Sequence, residues 1–496
     1  MGVIDDRRIR EPSLLDAIVP LAALAVLIGG SLALFGLDAL DGPLQAAMVV
    51  CAMIAALIAL KNGHSWVEVQ EAGQAALSSI TSAMFILLAV GALIGTWNMS
   101  GTIPTLVYYG IQVLSPSWYY LAAALICGVI AMSIGSSWTT AGTIGVGLVG
   151  IAVMLGVSPA ITAGAVISGA YLGDKLSPLS ETTILTAQMV EVDTYEHIKR
   201  QAWTSVPAFV IACVGFFVLG LFGPEANDTV ATASELTALG DIYNISAWNL
   251  LPLLLLVVLS VRKVPASMAL ILSALFAGLL SAFTQPAVTQ EFSGATNTVE
   301  STIRGTWMAV ANGFTIDSGV ADVDSLLSRG GMDSMLPTLW LIIAAVTFGT
   351  ILERFGLIAR LIDPLLFRAR TTGRLYVTVF GCGLGLNMVA GDQYIALVLP
   401  ARIFRAEFAE RGLAPTNLSR LAADSGTVTS PLVPWNSCGA FMGAALGVST
   451  ILYLPYALFN IISPLLSVAY GITGFKVEKI APPESRQAGD ANEIGE

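Results

Sequence analysis

The chain has 496 residues, of which 55% are hydrophobic and only 11% are charged, and its mean hydropathy is +0.78. This composition excludes a soluble globular protein and indicates a membrane protein whose main partner is the lipid bilayer. The formal net charge of −11, with no concentrated basic patch, argues against a nucleic-acid partner.

Ten apolar runs predict membrane helices, because a bilayer span needs about 20 apolar residues. The runs are Leu14–Leu37, Pro43–Leu60, Ile80–Trp97, Trp118–Ile134, Trp203–Phe222, Leu250–Val261, Ala266–Phe283, Leu336–Leu352, Leu375–Leu386 and Leu454–Ile472. Several of these runs are short, which favours partial spans. The first run is too long for the apolar core of a cleaved signal peptide.

Two further regions, Gly135–Leu172 and Asn387–Gly447, contain Gly, Ser, Thr, Pro and Asp residues that interrupt the apolar pattern. At membrane depth, a non-helical backbone is tolerated only where it is buried in protein or lines a cavity. We therefore predict discontinuous or re-entrant helices in both regions.

The distribution of Lys and Arg predicts the orientation, because these residues are enriched in cytoplasmic loops. Arg7–Arg10 at one end, and Lys476 and Lys479 at the other, place both termini in the cytoplasm. Gly223–Asn249 contains no Lys or Arg and is predicted to lie outside. The charges of Arg402–Arg420 favour the cytoplasm, but the helix count leaves the side of this segment open.

The predicted layout is a cytoplasmic N-terminus (1–12), a first transmembrane repeat (13–223), an extracytoplasmic loop (224–248), a second transmembrane repeat (249–475) and a cytoplasmic tail (476–496).

Short motifs recur in the same order about 250 residues apart. Gly95-Thr96 matches Gly349-Thr350 at a distance of 254 residues. Ser177-Pro178-Leu179 matches Ser430-Pro431-Leu432 at a distance of 253 residues. The charge rule makes the first of these spans run outward and the second run inward, so the repeats are predicted to be inverted. Inverted repeats with broken helices are typical of secondary transporters. Chance similarity among spans rich in small residues is the alternative.

The segment Gly173–Thr183 carries two carboxylates, one lysine and four hydroxyls between apolar runs. Hard oxygen ligands of this kind suit a small cation, and a carboxylate can also carry a proton. The candidate ion-binding residues here are Asp174, Ser177, Glu181, Thr182 and Thr183. The alternative is a polar surface loop that caps a helix. Lys175 either neutralises Asp174 or contacts the substrate.

The second half offers a matching set of polar residues at broken helices. The candidates are Asn387, Asp392, Asp424, Ser430 and Asn436. Where unwound segments of two repeats meet, freed carbonyls bind a cation and half-helix N-termini attract an anion. Asp392 and Asp424 have a second interpretation as helix N-caps, a position that Asp favours.

The segment Gly169–Thr183 closely resembles the hallmark segment of the NhaC sodium/proton antiporters. The resemblance extends over most of the chain and includes the Gly-Thr motif at Gly95 and Ser430–Asn436. It implies a multi-helix transporter with paired hairpins that performs sodium-coupled antiport. That family also contains members that exchange organic acids such as malate and lactate. After Thr183 the chain reads Ile184-Leu185-Thr186 instead of the expected Asn-Leu-Ala-like continuation, which leaves the substrate more open than the fold.

We therefore predict an all-α polytopic membrane transporter with two inverted-topology repeats and broken or re-entrant helices. Its predicted function is exchange of Na+ for H+ across the bacterial cytoplasmic membrane. The residues predicted to bind Na+ are Asp174, Ser177, Thr182 and Asp392. Na+ and H+ are the expected transported ions and no cofactor is expected. A homodimer and a small organic anion as a further partner are both left open.

Three other functions compete with this one. A Na+-coupled organic-acid or amino-acid antiporter of the same fold would use Asn387, Asn436 and Trp435 to build a larger pocket. An intramembrane enzyme is disfavoured, because no Ser/His, His/Glu or metal-ligand pair lies at membrane depth. A passive channel fits less well, because duplicated halves suit alternating access.

Overall fold

The computed structural model describes residues 9–222, 229–366 and 369–480. The fold of these residues is all-α, as predicted, and the extended segments within them pair only at an isolated bridge between Leu413 and Lys479. Arg7, Arg8 and most of the predicted cytoplasmic tail lie outside the described residues.

Ten helices make up the first part of the described chain. They are α1 (Leu14–Phe35), α2 (Pro43–Lys61), α3 (Trp66–Met99), α4 (Thr102–Val113), α5 (Tyr119–Ile134), α6 (Ser137–Thr140), α7 (Val146–Met154), α8 (Pro159–Leu176), α9 (Glu181–Met189) and α10 (Thr194–Leu221). A π-helical turn joins α6 to α7, so that Ser137–Met154 acts as one long helix.

Fourteen helices follow in the rest of the described chain. They are α11 (Thr229–Ile242), α12 (Leu251–Val261), α13 (Ala266–Thr284), α14 (Pro286–Ser293), α15 (Thr298–Asn312), α16 (Ala321–Leu327), α17 (Leu336–Arg354), α18 (Leu357–Leu366), α19 (Thr372–Val389), α20 (Gln393–Glu410), α21 (Pro415–Ala422), α22 (Ser437–Leu446), α23 (Thr450–Tyr453) and α24 (Leu458–Thr473). A π-helical turn, Ala423–Thr427, extends α21.

Eight of the described helices are long and apolar enough to cross a bilayer, and two bent helix pairs raise this number to ten. Most predicted spans coincide with a helix, but α3 begins well before the predicted start at Ile80. A capping box starts α3, because the Ser65 N–H donates to the Glu68 carboxylate at 2.6 Å and Ser65 Oγ accepts from the Glu68 N–H. This cap extends the helix through polar turns that hydropathy alone does not reveal.

The region predicted to be an extracytoplasmic loop, 224–248, contains helix α11 at Thr229–Ile242. The Ala, Leu and Glu residues of this segment favour a helix, whereas the sequence prediction considered only its acidity and its lack of basic residues. The chain bends by 91° between the end of α11 and the helical segment Ala247–Val261.

Helices α3 and α17, which carry the two Gly-Thr motifs, run antiparallel to each other. At one end, Arg354 of α17 pairs with Glu71 of α3 at 2.6 Å. At the other end, the Gly331 N–H, shortly before α17, donates to the Gly91 carbonyl at 2.7 Å. This arrangement is the one that inverted repeats require.

The helices that come after α3 and α17 in the chain show the same packing arrangement in both halves. Where α5 packs on α8, a Cβ atom on Gly173 would lie 2.6 Å from the Gly128 carbonyl oxygen. Where α19 packs on the π-helical turn after α21, a Cβ atom on Gly383 would lie 2.4 Å from Ser425 Oγ. Small residues permit such close helix contacts in membranes. The related positions (128 and 383, 173 and 425) are separated by about 250 residues, as the motif offsets predict.

Ion pairs on one face of the molecule concern the segment Arg402–Arg420, for which the sequence left the side of the membrane open. Arg405 pairs with Glu191, and Arg200 pairs with Glu478 at 2.7 Å. Glu191 and Arg200 flank the start of α10. The end of α20 therefore lies on the same face as the basic start of α10, the face that the Lys and Arg distribution assigns to the cytoplasm.

Candidate ion-binding site

Asp174 lies in the last turn of α8, where its buried carboxylate meets the break between α5 and α6. The Ser137 hydroxyl and backbone N–H donate to Asp174 Oδ2 at 2.7 and 3.3 Å. Ser137 is the first residue of α6, so the carboxylate lies at the positive end of a helix dipole. The contact fixes the position of Asp174 relative to the hairpin formed by α5 and α6–α7.

The chain leaves α8 through the polar segment 177–180 and re-enters a helix at α9. Ser180 caps α9 by accepting from the Thr183 N–H at 3.3 Å, and its side chain also lies against the Asp174 carboxylate. The Thr182 and Ser180 hydroxyls are 3.0 Å apart. Asp174, Ser180 and Thr182 therefore form one buried oxygen cluster.

Two other predicted residues of this segment hold the backbone of the break. Ser177 Oγ accepts from the Leu179 N–H at 3.3 Å. The Thr183 hydroxyl donates to the carbonyl oxygens of Asp174 and Lys175 at 3.3 and 3.1 Å. These contacts hold the backbone on both sides of the break between α8 and α9.

A second break, between α19 and α20, brings Tyr394 to the cluster. Asp392 caps α20 by accepting from the Tyr394 N–H at 2.6 Å, which agrees with its interpretation as an N-cap. The Tyr394 hydroxyl donates to Glu181 Oε2 at 3.2 Å. Sequence reasoning missed Tyr394. The available signal was its position, because Tyr394 lies 256 residues after Trp138. Each of these two aromatic residues lies three residues after the glycine of a hairpin break.

Asn387, Asn436 and Ser430 form the break that precedes α22. Asn387 Nδ2 donates to the Gly426 carbonyl at 2.6 Å and to Thr429 Oγ1 at 2.9 Å. Asn436 Nδ2 donates to Asn387 Oδ1 at 3.0 Å, and Asn436 also caps α22. The Ser430 hydroxyl donates to the Thr427 carbonyl at 2.7 Å.

We expect Asn387→Ala to lower the thermal unfolding midpoint of the purified protein. The substitution removes the amide that donates to the Gly426 carbonyl and one of the two acceptors of the Asn436 amide, and an unsatisfied buried group costs about 1–3 kcal/mol. Differential scanning fluorimetry in detergent measures the midpoint. Met388→Ala is the control, because Met388 is the next residue and is 44% exposed. Equal midpoints for the two variants would contradict a structural role of the amide.

Lys175 pairs with Asp424 and not with Asp174. Both side chains are fully buried, and the pair joins α8 to the π-helical turn after α21. Ser463 donates to Asp424 Oδ1 at 2.6 Å, and Thr204 donates to Oδ2 at 3.1 Å. Asp424 is therefore not the N-cap that the sequence allowed as an alternative, because it lies inside a helical turn with its oxygens occupied.

The two sides of the site differ in accessibility. On one side Trp138 of α6 stacks on Phe441 of α22 with ring centroids 4.1 Å apart, and both rings are buried. On the other side Glu181 is exposed beside Tyr394. Trp138 and Tyr394 occupy equivalent positions in the two hairpins. Trp138 belongs to the buried aromatic stack on one side of the site, and Tyr394 contacts the exposed Glu181 on the other side.

No group of three or more His, Cys, Asp and Glu side chains with metal-ligand geometry occurs among the described residues. A small cation at Asp174 would take hydroxyl and backbone carbonyl oxygens as further ligands, as hard cations do. Within the predicted Na+ set, the structure joins Asp174 to Thr182 through Ser180, whereas Ser177 and Asp392 bond to neighbouring backbone N–H groups. The Na+ ligand set stays a prediction.

Comparison with known proteins identifies the family of the chain. A sequence profile described as the Na+/H+ antiporter family matches residues 11–204 and 169–475. The chain belongs to the Na+/H+ antiporter family. Membership in this family makes the protein a transporter and not an enzyme.

Relatives in this family carry several names. The chain is 36% identical to the Na+/H+ antiporter NhaC of Alkalihalophilus pseudofirmus, over 87% of this chain and 90% of that protein. It is 33% identical to the malate-2H+/Na+-lactate antiporter of Bacillus subtilis, over 94% of this chain and 96% of that protein. It is 35% identical to the arginine/ornithine antiporter ArcD of Halobacterium salinarum, over 96% and 95%.

Proposed function

We propose that the protein exchanges Na+ for H+ across a bacterial cytoplasmic membrane, and that both ions use the Asp174 carboxylate. The observation that carries this proposal is the burial of Asp174 between two broken helices, next to the hydroxyls of Ser137 and Ser180, the second of which bonds to the Thr182 hydroxyl. The relatives named Na+/H+ antiporters support the same ion pair.

Competition for one carboxylate accounts for the exchange. A proton on Asp174 removes the negative charge that a sodium ion needs, and a sodium ion bound to its oxygens excludes the proton. Ser137 holds the carboxylate in place in either state, and Glu181 offers a negative charge at the accessible side of the site. Net transport then requires that the site opens alternately to each side, which inverted repeats perform by moving one bundle against another.

The surroundings of Lys175 argue against an organic anion as the main substrate. A carboxylate substrate is bound most strongly by a cationic side chain. Lys175, the lysine next to Asp174, is already paired with Asp424 and hydrogen-bonded to Ser463. The malate/lactate and arginine/ornithine antiporters among the relatives keep amino-acid or organic-acid exchange as the second candidate.

Purified protein in liposomes tests the function directly. With an imposed pH gradient, we expect addition of Na+ alone to dissipate the gradient, which a pH-sensitive dye reports. The same experiment with K+, malate, lactate, arginine and ornithine measures selectivity. If the pH gradient dissipates only when an organic substrate is added, and not with Na+ alone, the second candidate function would replace Na+/H+ exchange.

We expect Thr182→Val to raise the Na+ concentration for half-maximal exchange by about tenfold. The substitution removes a proposed Na+ ligand, the hydroxyl that lies 3.0 Å from Ser180 Oγ, and a bond to a charged group is worth about 1.5–3 kcal/mol. The liposome assay at a series of Na+ concentrations measures this value. Thr186→Val is the matched control, because the Thr186 hydroxyl donates to the Thr182 carbonyl within α9. A shift of the same size in both variants would remove Thr182 from the site.

The proposed orientation places both termini in the cytoplasm and the region before α12 outside. In a cysteine-free background, we expect Ala247→Cys to react with an impermeant maleimide in intact cells, because Ala247 is exposed and lies far from any basic residue in the sequence. Lys263→Cys, at the other end of α12, should react only after the cells are opened. The reverse labelling pattern would invert the orientation.

A further inference from the structure

A cavity of about 880 Å³ opens between the first turns of α19 and the last turn of α24, outside the proposed ion site. Its lining combines cationic, hydroxyl and apolar groups: Thr371, Gly373, Arg374, Val377, Ile472 and Lys479. The two helices lie close together here, because a Cβ atom on Gly471 would be 2.1 Å from the Tyr376 ring. The cavity therefore lies in a groove between two packed membrane helices.

Backbone hydrogen bonds fix Lys479 at the edge of the cavity. The Ala414 N–H donates to the Glu478 carbonyl at 3.1 Å, and the Ile480 N–H donates to the Gly412 carbonyl at 2.8 Å. Successive side chains of an extended segment point to opposite sides. Glu478 accordingly pairs with Arg200 at 2.7 Å, while Lys479 lines the cavity.

Arg374 supplies the second positive charge, in the first turn of α19. Its N–H donates to Thr371 Oγ1, the cap of this 18-residue helix. Within the described residues neither Arg374 nor Lys479 has an ion-pair partner, whereas Arg200, Arg405 and Arg411 on the same face are all paired with glutamates. Two unneutralised cations and a helix N-terminus therefore meet at one cavity, a combination that favours an anion.

The remaining lining is apolar and accessible. Val377 and Ile472 are 47% and 62% exposed, and in a membrane protein exposed aliphatic side chains at a helix surface face lipid chains. The groove thus changes from apolar to cationic over the length of one helix turn. An isolated phosphate ion would use only the cationic part, whereas a phospholipid would use both.

We propose that this cavity binds an anionic phospholipid, with the headgroup phosphate at Arg374 and Lys479 and the acyl chains along Val377 and Ile472. Basic pockets between membrane helices on the cytoplasmic side are suited to such headgroups. The lipid would connect α19, which carries Asn387, to α24, which carries Ser463. This proposal does not depend on which ions the protein transports.

Native mass spectrometry of the detergent-purified full-length chain tests the proposal. We expect the wild-type protein to bind added phosphatidylglycerol at one saturable site, and phosphatidylcholine much more weakly. Because each basic residue near an anionic lipid contributes about 1 kcal/mol, Arg374→Gln with Lys479→Gln should weaken phosphatidylglycerol binding by about 30-fold. Arg262→Gln with Lys263→Gln is the matched control, since this pair is exposed at the end of α12 and far from the cavity along the chain.

Each remaining outcome contradicts the proposal. Equal binding of the two lipids would remove the headgroup charge as the basis of recognition. An equal loss of phosphatidylglycerol binding in the Arg262/Lys263 control variant would assign the binding to general surface charge. Displacement of phosphatidylglycerol by millimolar inorganic phosphate would make the cavity a site for small anions. Unchanged binding in the Arg374/Lys479 variant, with a thermal midpoint equal to that of the wild type, would show that the lipid binds elsewhere.

Discussion

Asp174→Asn is expected to abolish Na+-driven proton movement while leaving the protein folded. The amide oxygen can still accept from the Ser137 hydroxyl, so the contact between α8 and α6 is retained. The amide cannot take up or release a proton at neutral pH, and it carries no charge for Na+. The dye assay in liposomes should therefore give the signal of empty liposomes at every Na+ concentration and every pH tested.

A matched control separates loss of transport from loss of structure. Asp193→Asn makes the same chemical change at an exposed N-cap of α10, where asparagine caps as well as aspartate. We expect wild-type exchange from this control and the same elution volume and thermal midpoint for all three proteins. Exchange at the wild-type rate with an unchanged pH profile in Asp174→Asn would make Asp174 a structural residue and would move the proposed coupling to another carboxylate.

Lys175→Met is expected to destabilise the protein more than any surface substitution. Asp424 would remain buried with no opposite charge, and breaking a buried ion pair by removing one partner costs about 3–5 kcal/mol. The pair joins α8 of the first half to the π-helical turn of the second half, so its loss should loosen the contact between the two halves. A large fall in the thermal midpoint and a reduced yield of folded protein are the expected results.

The double variant Lys175→Met with Asp424→Asn tests the reason for this loss. Replacing a buried pair by neutral groups is often close to neutral in stability, and asparagine can still accept from Ser463. We expect the double variant to regain most of the lost thermal midpoint. Arg405→Gln, which breaks an exposed pair with Glu191, should change the midpoint little. A single Lys175→Met variant as stable as the wild type would contradict the role assigned to the pair.

Much of the fold could be predicted because its causes are local. Apolar length predicted α1, α2, α5, α13 and α17, since a span must be long enough to cross the hydrocarbon layer. The Gly and Ser-Pro positions predicted the breaks, since these residues interrupt helices. The start of α3 was missed because it depends on a capping box, and helix α11 was missed because its acidity masked its helix propensity.

The candidate site could be predicted only in part. Asp174 and Thr182 stood out because polar residues at membrane depth are rare. Tyr394 gave no such signal, because a single tyrosine beside an apolar run is ordinary in a membrane protein. Its hydroxyl reaches Glu181 only because the hairpin of the second half packs against α9 of the first.

By itself the sequence determined that this protein lies in a membrane and that its helices are broken at polar segments, and its recurring motifs predicted that its two halves are related. These properties follow from composition, hydropathy and motif spacing, which depend on short stretches of chain. The tertiary structure alone decided which distant polar groups meet: Lys175 with Asp424, Ser137 with Asp174, and Arg405 with Glu191. These partners are far apart in sequence and are chosen by helix packing. The buried carboxylates of Asp174 and Asp424 need such partners, because an unpaired buried charge is costly.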